Sequence, residues 1–585
     1  MYVIATAGHV DHGKSALLRA LTGMEPDRWE EERRRGLIID LGYVWMDSAR
    51  GPLAFVDVPG HERFVGNMLA GVGPVPAVLF VVAADEGWMP QSAEHLTALN
   101  VLGVRRGILA VTKTDLMEPE LAAEEARQAI GRTSLGDLPT VAVSARTGEG
   151  LADLRAALDR LVSELPPGDP GAPVRLWVDR GFTIRGAGLV VTGTLAAGTI
   201  RNGDTLELAR TGKRYVVREL QSMNHHTDEA RGVARVALNL RGAGRGEVGR
   251  GDALMTPGSY RGTAAADVRT RLCVPADLPR ELLVHVGTAT VGARLRPVGA
   301  DTARLTLGAA LPLRVGDRLV LRSDRGVAGG AVVLDADPPP LDRRGAGRRR
   351  AAELESYSDT PDGAAELRRR GVVRSSVLRT VGLEPPVAPL VADWLVDPEH
   401  ARGLRSRLAS LVARRANDPS APPLSVEDAR KTLELPDPRL VPAVLSPPWT
   451  VRDGLIVHAE APDTLSAAAR DALARLEGRL AGVAFAVPTE PDFAAAGLDP
   501  AGVAAATRAG RLVRLAPDVV LLPRTVGHVE QVLAGLSQPF TAGEAREALG
   551  TSRKVIVPLL EHLAASGRTR RLPDGRHTVA PTARY

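Results

Sequence analysis

VIATAGHVDHGKSALLRAL, residues 3 to 21, is the stretch on which the fold turns. A β-rich run, VIATA, stops at Gly8, and a helical pattern, SALLRAL, starts at Ser15. Between them GHVDHGKS fits the spacing G-x-x-x-x-G-K-[ST] from Gly8 to Ser15. In that spacing the backbone N–H groups of Gly8, His9, Val10, Asp11, His12 and Gly13, with the helix N-terminus behind them, cradle phosphates. Lys14 reaches the β and γ phosphates and the Ser15 hydroxyl ligates Mg2+. His9 and His12 enter this reading through their backbone rather than their imidazoles.

The alternation continues to about residue 168, where LAFVDV, AVLFVVAA, RGILAVT and TVAVSA are spaced by helical stretches such as SAEHLTALNVLG. It predicts an α/β domain with a mostly parallel sheet covered on both faces. DVPGH, Asp57 to His61, follows one of these strands. Asp57 can hold Mg2+ through a water, the Gly60 N–H can meet a γ-phosphate, and His61 stands where a water-positioning group is wanted. TKTD, Thr112 to Asp115, follows another. Asp115 can accept from the guanine N1–H and exocyclic amine, donors that adenine lacks, while the stem of Lys113 lies along the base. Thr112 occupies the place where asparagine is commoner. VSARTGEG then brings Ser144, Ala145 and Arg146 to the guanine carbonyl. GTP and GDP with Mg2+ are the expected cofactors.

At 585 residues the chain exceeds one hydrophobic core. A net charge of +5 is small for that length, so its distribution says more about partners than its size. The single cysteine, Cys273, excludes an internal disulfide framework and fits a reducing compartment. No secretory leader pattern opens the sequence and no apolar run reaches membrane-spanning length, so the expectation is a cytoplasmic protein without a membrane partner.

After the Pro/Gly segment LPPGDPGAP (165–173), short β runs with turn signals take over. Two of them, RNGDTLEL and RVGDRLVL, are near repeats, and two consecutive β-barrels fit the length. DPPPLDRRGAGRRR (337–350) reads as a proline stop and a basic linker. Beyond it, helices alternate with β-like pairs such as TVRDGLIVH and TRRLPDGRHTV, which suggests tandem winged helices. The expected boundaries are 1–168 for the nucleotide-binding domain, 174–257 and 258–337 for the barrels, 338–352 for the linker, and 353–423, 424–460, 461–526 and 527–585 for the winged helices. In the last unit Thr551 or Ser552 caps the second helix, Arg553 and Lys554 fall in its first turn, and Arg570, Arg571 and Arg576 lie in the wing. Basic groups so placed suit a phosphate backbone and a bulged base.

GHVDHGKS, RGLIIDLGY, DVPGHERFVGNML, AADEGWMPQSAEHL and TKTDL together resemble the translational GTPases of the elongation factor Tu superfamily. Within it, IDLGY, VDRGFTIRGAGLVVTGT (178–194) and the helical extension are similar to the selenocysteine-specific elongation factors. The resemblance implies a monomeric GTPase that carries selenocysteyl-tRNA to the ribosome at recoded UGA codons and binds an mRNA hairpin through its last winged helix. It also implies an aminoacyl pocket at Asp179, Arg180 and Arg235. A selenol ionises near neutral pH, so cations in a partly desolvated pocket favour it over a seryl hydroxyl. Two other readings share parts of this pattern: an RNA-binding adaptor with little GTP hydrolysis, and an initiation-factor-like carrier of initiator tRNA. The superfamily motif R-G-x-T-I meets Arg35, Gly36, Leu37, Ile38 and Ile39, so an isoleucine stands where a threonine hydroxyl would ligate Mg2+. The expected consequence is a looser GTP-ordered switch, weaker by about 1 to 2 kcal/mol.

Overall fold

The computed structural model describes residues 1–26, 40–59, 65–72, 75–186, 188–324, 326–416, 424–452, 454–459, 465–480, 485–508, 511–565, 568–572 and 574–579. Gly60, His61, Arg35, Gly36, Leu37, Ile38 and Ile39 lie outside the described residues. Met1–Ala365 with Ser376–Pro385 forms one compact unit, and Glu366–Ser375 with Pro386–Tyr585 forms a second.

The first unit begins with β1 (Tyr2–Ala7), β2 (Gly42–Ser48), β3 (Gly51–Asp57), β4 (Ala77–Ala83), β5 (Gly107–Thr112) and β6 (Thr140–Ala142), side by side in the order β2-β3-β1-β4-β5-β6. Only the β2–β3 pair of this sheet is antiparallel, as a mostly parallel sheet requires. Among the described residues five helices cover it: α1 (Lys14–Thr22), α2 (Val65–Val72), α3 (Pro90–Leu102), α4 (Glu120–Ile130) and α5 (Leu151–Glu164). Val56, Phe80, Leu99 and Ala126 pack on one face, and Ile4, Leu17, Phe55 and Leu158 on the other. Each fully buried leucine or phenylalanine contributes about 1.5 to 3 kcal/mol, which explains why the strands read as unbroken apolar runs. Helix α1 starts where Gly13 takes φ 80° and stops where Gly23 takes φ 71°, both left-handed conformations that glycine adopts without a Cβ penalty.

Two barrels follow. In the first, the strands Thr205–Leu208, Ala253–Met255, Arg175–Ile184, Gly188–Leu195, Ala234–Arg241 and Arg214–Ser222 pair in that order, and the last pairs back to the first. Leu176, Val191, Val217 and Leu238 fill it. The second is a closed six-stranded barrel built from Thr263–Arg271, Glu281–Val286, Ala289–Pro297, Thr302–Leu311, Arg318–Ser323 and Gly326–Asp335. The near-repeats RNGD and RVGD form the same turn in each. Asp204 N–H donates to Arg201 O at 3.1 Å and Asp317 N–H to Arg314 O at 3.1 Å, while each aspartate accepts from the first residue's N–H at 2.7 Å.

The stretch expected as a basic linker over 338–352 includes the start of a helix, Ala346–Glu355. Arg350, 2% exposed, donates to Asp267 at 2.6 Å and to Asp335 at 2.6 Å on the second barrel's wall. A run of arginines reads as solvated in sequence. Here one of them meets two carboxylates that would otherwise be buried without it.

Among the described residues of the second unit four hairpins recur: Val372–Arg374 with Trp394–Val396, Trp449–Arg452 with Leu455–His458, Val513–Ala516 with Val519–Leu521, and Thr569–Arg571 with His577–Val579. Among the described residues their cores fall into three clusters, one of which holds Leu473, Leu512 and Val520. Val396, Leu408, Leu440 and Ile456 belong to one cluster, and Leu521, Val529, Phe540 and Leu559 to another. No helix among the described residues is long and apolar enough to cross a membrane.

Candidate functional site

The phosphate-binding end is built on the β1–α1 turn. Gly8 has φ 131°, and a Cβ there would lie 2.1 Å from Val81 O, so this position excludes any side chain. Lys14 Nζ donates back to the carbonyl oxygens of Gly8 at 3.1 Å and His9 at 2.5 Å. Burial pushes its ammonium down to about 8, against the pull of Asp57 and Asp11. The Ser15 hydroxyl donates to Asp57 at 2.7 Å, and Thr6 donates to the other Asp57 oxygen at 2.8 Å. A hydroxyl and a carboxylate oxygen converging here are hard oxygen donors of the kind Mg2+ takes, so the chemistry of this pair fits the ion. His12 is buried against Val81 O, and burial pushes its imidazole down to about 4, so it is neutral at physiological pH.

Two residues of α3 that sequence reasoning left without a role hold the loop from behind. Gly8 N–H donates to His95 Nδ1 at 3.1 Å and Val10 N–H to Gln91 at 3.1 Å. Burial, with Lys14 and His9 nearby, pushes the His95 imidazole down to about 3, which keeps Nδ1 free to accept. Both lie inside PQSAEHL, whose residues carry no local sign of these contacts.

At the base-binding end, Asp115 accepts from the Ser144 hydroxyl and from Arg146 Nε, each at 2.6 Å. These hydrogen bonds hold the Asp115 carboxyl below its usual range. Lys113 reaches Asp85 at 3.1 Å and Glu86 at 2.8 Å. Thr112 donates to His12 O at 2.7 Å, a tie from the base-binding strand to the phosphate loop. Gly13, Thr112, Lys113, Asp115, Ala145 and Arg146 line one cavity, so three motifs that are separate in sequence meet there.

A second site lies where β2 meets the first barrel. Arg235 grips Asp179 with both terminal nitrogens, one at 2.8 Å, and its guanidinium lies 3.7 Å above the Tyr43 ring. Thr192 adds a hydrogen bond to Asp179 at 2.7 Å. Arg180 instead turns to Asp40, at 2.7 Å, and to Leu41 O at 3.2 Å. Tyr43, Trp45, Arg180, Phe182, Ile184 and Arg235 line one cavity, to which Glu219 also contributes. Burial pushes the Tyr43 hydroxyl well above its usual range. The three expected pocket residues are thus together, but both arginines face carboxylates. Asp40 and Tyr43 were not singled out because they precede Arg180 by 140 and Arg235 by almost 200 residues.

In the second unit the last winged helix has helices Ala542–Ala548 and Arg553–Ala565 and the hairpin Thr569–Arg571 with His577–Val579. Ser552 directly precedes the second helix, and Arg553 and Lys554 open its first turn. Arg553, Arg570 and Arg571 are exposed, Lys554 reaches Asp518 at 3.0 Å, and Arg576 reaches Asp574 at 2.8 Å.

Comparison with known proteins matches four stretches. Residues 1–164 match the elongation factor Tu GTP binding domain and 188–255 elongation factor Tu domain 2. Residues 269–340 match the β-barrel domain of selenocysteine-specific elongation factors, and 531–578 the winged helix of elongation factor SelB. The selenocysteine-specific elongation factor of Desulfomicrobium baculatum is 38% identical over 375 residues, which is 61% of this chain and 58% of that protein. Elongation factor Tu 2 of Streptomyces avermitilis is 31% identical over 57% of this chain and 96% of its own. A crystal structure of a bacterial selenocysteine-specific elongation factor superposes with a TM-score of 0.71 at 26% identity, covering 99% of this chain and all of that one. In sequence, therefore, the match spans a little over half the length of the selenocysteine-specific relative.

Proposed function

We propose a function for a chain that belongs to the elongation factor Tu superfamily of GTP-binding translation factors, on its selenocysteine-specific branch: it binds GTP and selenocysteyl-tRNA, carries the tRNA to the ribosome at recoded UGA codons, and hydrolyses the nucleotide there. The observation that carries this reading is the presence, in one compact unit, of a guanine-nucleotide site and a buried Asp179–Arg235 pair beside Arg180 at the base of the first barrel.

The roles in this reading are assigned residue by residue. The backbone of Gly8 to Gly13 and the Lys14 ammonium receive the phosphates, and the brace from His95 and Gln91 holds that backbone in the receiving shape. Ser15 and Asp57 would hold Mg2+, which when bound neutralises charge on the β and γ phosphates. Asp115, oriented by Ser144 and Arg146, selects guanine by accepting from its N1–H and amine. His61 takes the role of orienting the attacking water, and Gly60 that of meeting the γ-phosphate. Asp179 fixes Arg235 over Tyr43, and Arg180 supplies the cation that favours a selenolate over a hydroxyl. In the last winged helix Ser552, Arg553, Lys554, Arg570, Arg571 and Arg576 take the backbone of an mRNA hairpin. The factor acts as a cytoplasmic monomer.

A filter assay with selenocysteyl-tRNA, seryl-tRNA and initiator tRNA tests the reading. Preference for the selenocysteyl form in GTP supports it, and equal binding of seryl-tRNA overturns the pocket. Ribosome-stimulated turnover of His61→Ala separates a GTPase from an adaptor that keeps GTP as a structural ligand: unchanged hydrolysis removes His61 from its role.

A further inference from the structure

Asp40 stands between the two sites. One of its carboxylate oxygens accepts from Arg180 at 2.7 Å, and the other from Arg250 at 3.2 Å. Arg250 also reaches Gly66 O in α2 at 3.4 Å, and Arg180 donates to Leu41 O at 3.2 Å. Two residues after Asp40, Gly42 pairs in register with Asp57, the carboxylate that accepts from Ser15. The backbone between has little slack. Leu41 is 4% exposed in the sheet's core, and a Cβ added to Gly42 would lie 3.2 Å from the Asp57 Cβ and 3.0 Å from Pro26 O. Asp57 and Asp40 are thus joined by two packed residues rather than by a loop.

The charges at the far end make Asp40 consequential. Arg235 is neutralised by Asp179 and stacked on Tyr43, so it has no charge to spare for a ligand. Arg180 is the pocket's second cation, and its counter-charge is Asp40. Asp40 is shared with Arg250, and while it holds Arg180 an anionic ligand must displace that contact to reach the guanidinium. With Asp40 withdrawn, Arg180 is freed for it.

We propose that Asp40 is a positioning residue that couples nucleotide state to cargo affinity: it competes with the anionic side chain of the aminoacyl group for Arg180, and yields when Asp57 engages the nucleotide's metal. The inference rests on the carrier function proposed above. It sets a signature that a merely structural ion pair lacks. The coupling is large for an anionic selenolate cargo and small for a neutral seryl cargo, because only the former competes with a carboxylate.

The test measures equilibrium affinity of the full chain for selenocysteyl-tRNA and seryl-tRNA, each with a non-hydrolysable GTP analogue and with GDP, in wild type, Asp40→Asn and Asp40→Glu. Asp40→Asn should tighten the GDP-state affinity for selenocysteyl-tRNA by about tenfold and so shrink the GTP-to-GDP ratio. Seryl-tRNA affinity should move much less, and Asp40→Glu, which keeps the charge, should return the wild-type ratio. A wild-type ratio in Asp40→Asn, or an equal shift for both cargoes, overturns the role of Asp40. If wild type itself binds the two cargoes alike in both states, the carrier reading fails instead. A thermal melt with GDP separates either result from misfolding.

Discussion

The Ser15 hydroxyl and the Asp57 carboxylate touch across 2.7 Å, joining the first turn of α1 to the end of β3. In this arrangement the serine donates. To ligate a divalent cation it must turn a lone pair outward while Asp57 remains within reach through a water. Ser15→Ala should therefore weaken GDP and GTP binding by about tenfold or more in millimolar Mg2+, and far less in excess chelator. An equal loss under both conditions would mean that Ser15 acts on the loop and not on the metal.

The ammonium of Lys14, pushed down to about 8 by burial, gives nucleotide binding a pH dependence. Bound phosphates favour the charged form, so the complex holds the proton more tightly than the free protein. Affinity is then flat below about pH 7 and falls as pH rises through about 8, with a slope approaching tenfold per pH unit. Titration calorimetry with GDP from about pH 6.5 to about pH 9.5 reads this directly. A flat profile across that range would contradict it.

Breaking the Asp179–Arg235 pair leaves a buried charge without its partner. Arg235→Gln or Asp179→Asn alone should destabilise the first unit by about 3 kcal/mol, and the two together by less than the sum. Urea unfolding of the four proteins of the cycle gives the coupling. Additive losses would show that the pair is screened and that its place over Tyr43 matters more than its charge.

The wing arginines should behave as phosphate contacts. Arg570→Ala and Arg571→Ala should each weaken binding of an RNA hairpin uniformly across loop sequences, and each should lower the slope of log affinity against log salt by about 1. A change confined to one loop sequence would reassign the residue to base recognition.

Much of the first domain is legible in the chain because its informative residues are local. The glycines of the phosphate loop, the lysine and serine after them, and the Asp115 motif each sit at a strand end, where short-range geometry fixes what they can do. The barrels are legible through RNGD and RVGD, since an aspartate that caps its own turn is a local device. What could not be read is what arrives from far away. His95 meets Gly8 across 87 positions and Arg250 meets Asp40 across 210, and no periodicity or composition marks such partners. The cavity proposed to take the aminoacyl group illustrates the difference. The identity of its arginines can be aligned, but their neutralisation by Asp40 and Asp179 depends on a packing of β2 against a barrel that sequence does not display. Ile38 and His61, on which the switch and the hydrolysis reading turn, fall outside the described residues.

The burial of Arg350 sets where the molecule can be divided. A cut at the proline stop near residue 337 looks natural in composition, yet it would strip Asp267 and Asp335 of the cation they share and leave Asp267 to Arg304 alone. The inheritable module therefore runs past Glu355. A lineage that exchanged its winged-helix tail for another could splice it only beyond that helix, so Arg350 works as a boundary stone between what such factors must share and what they are free to vary.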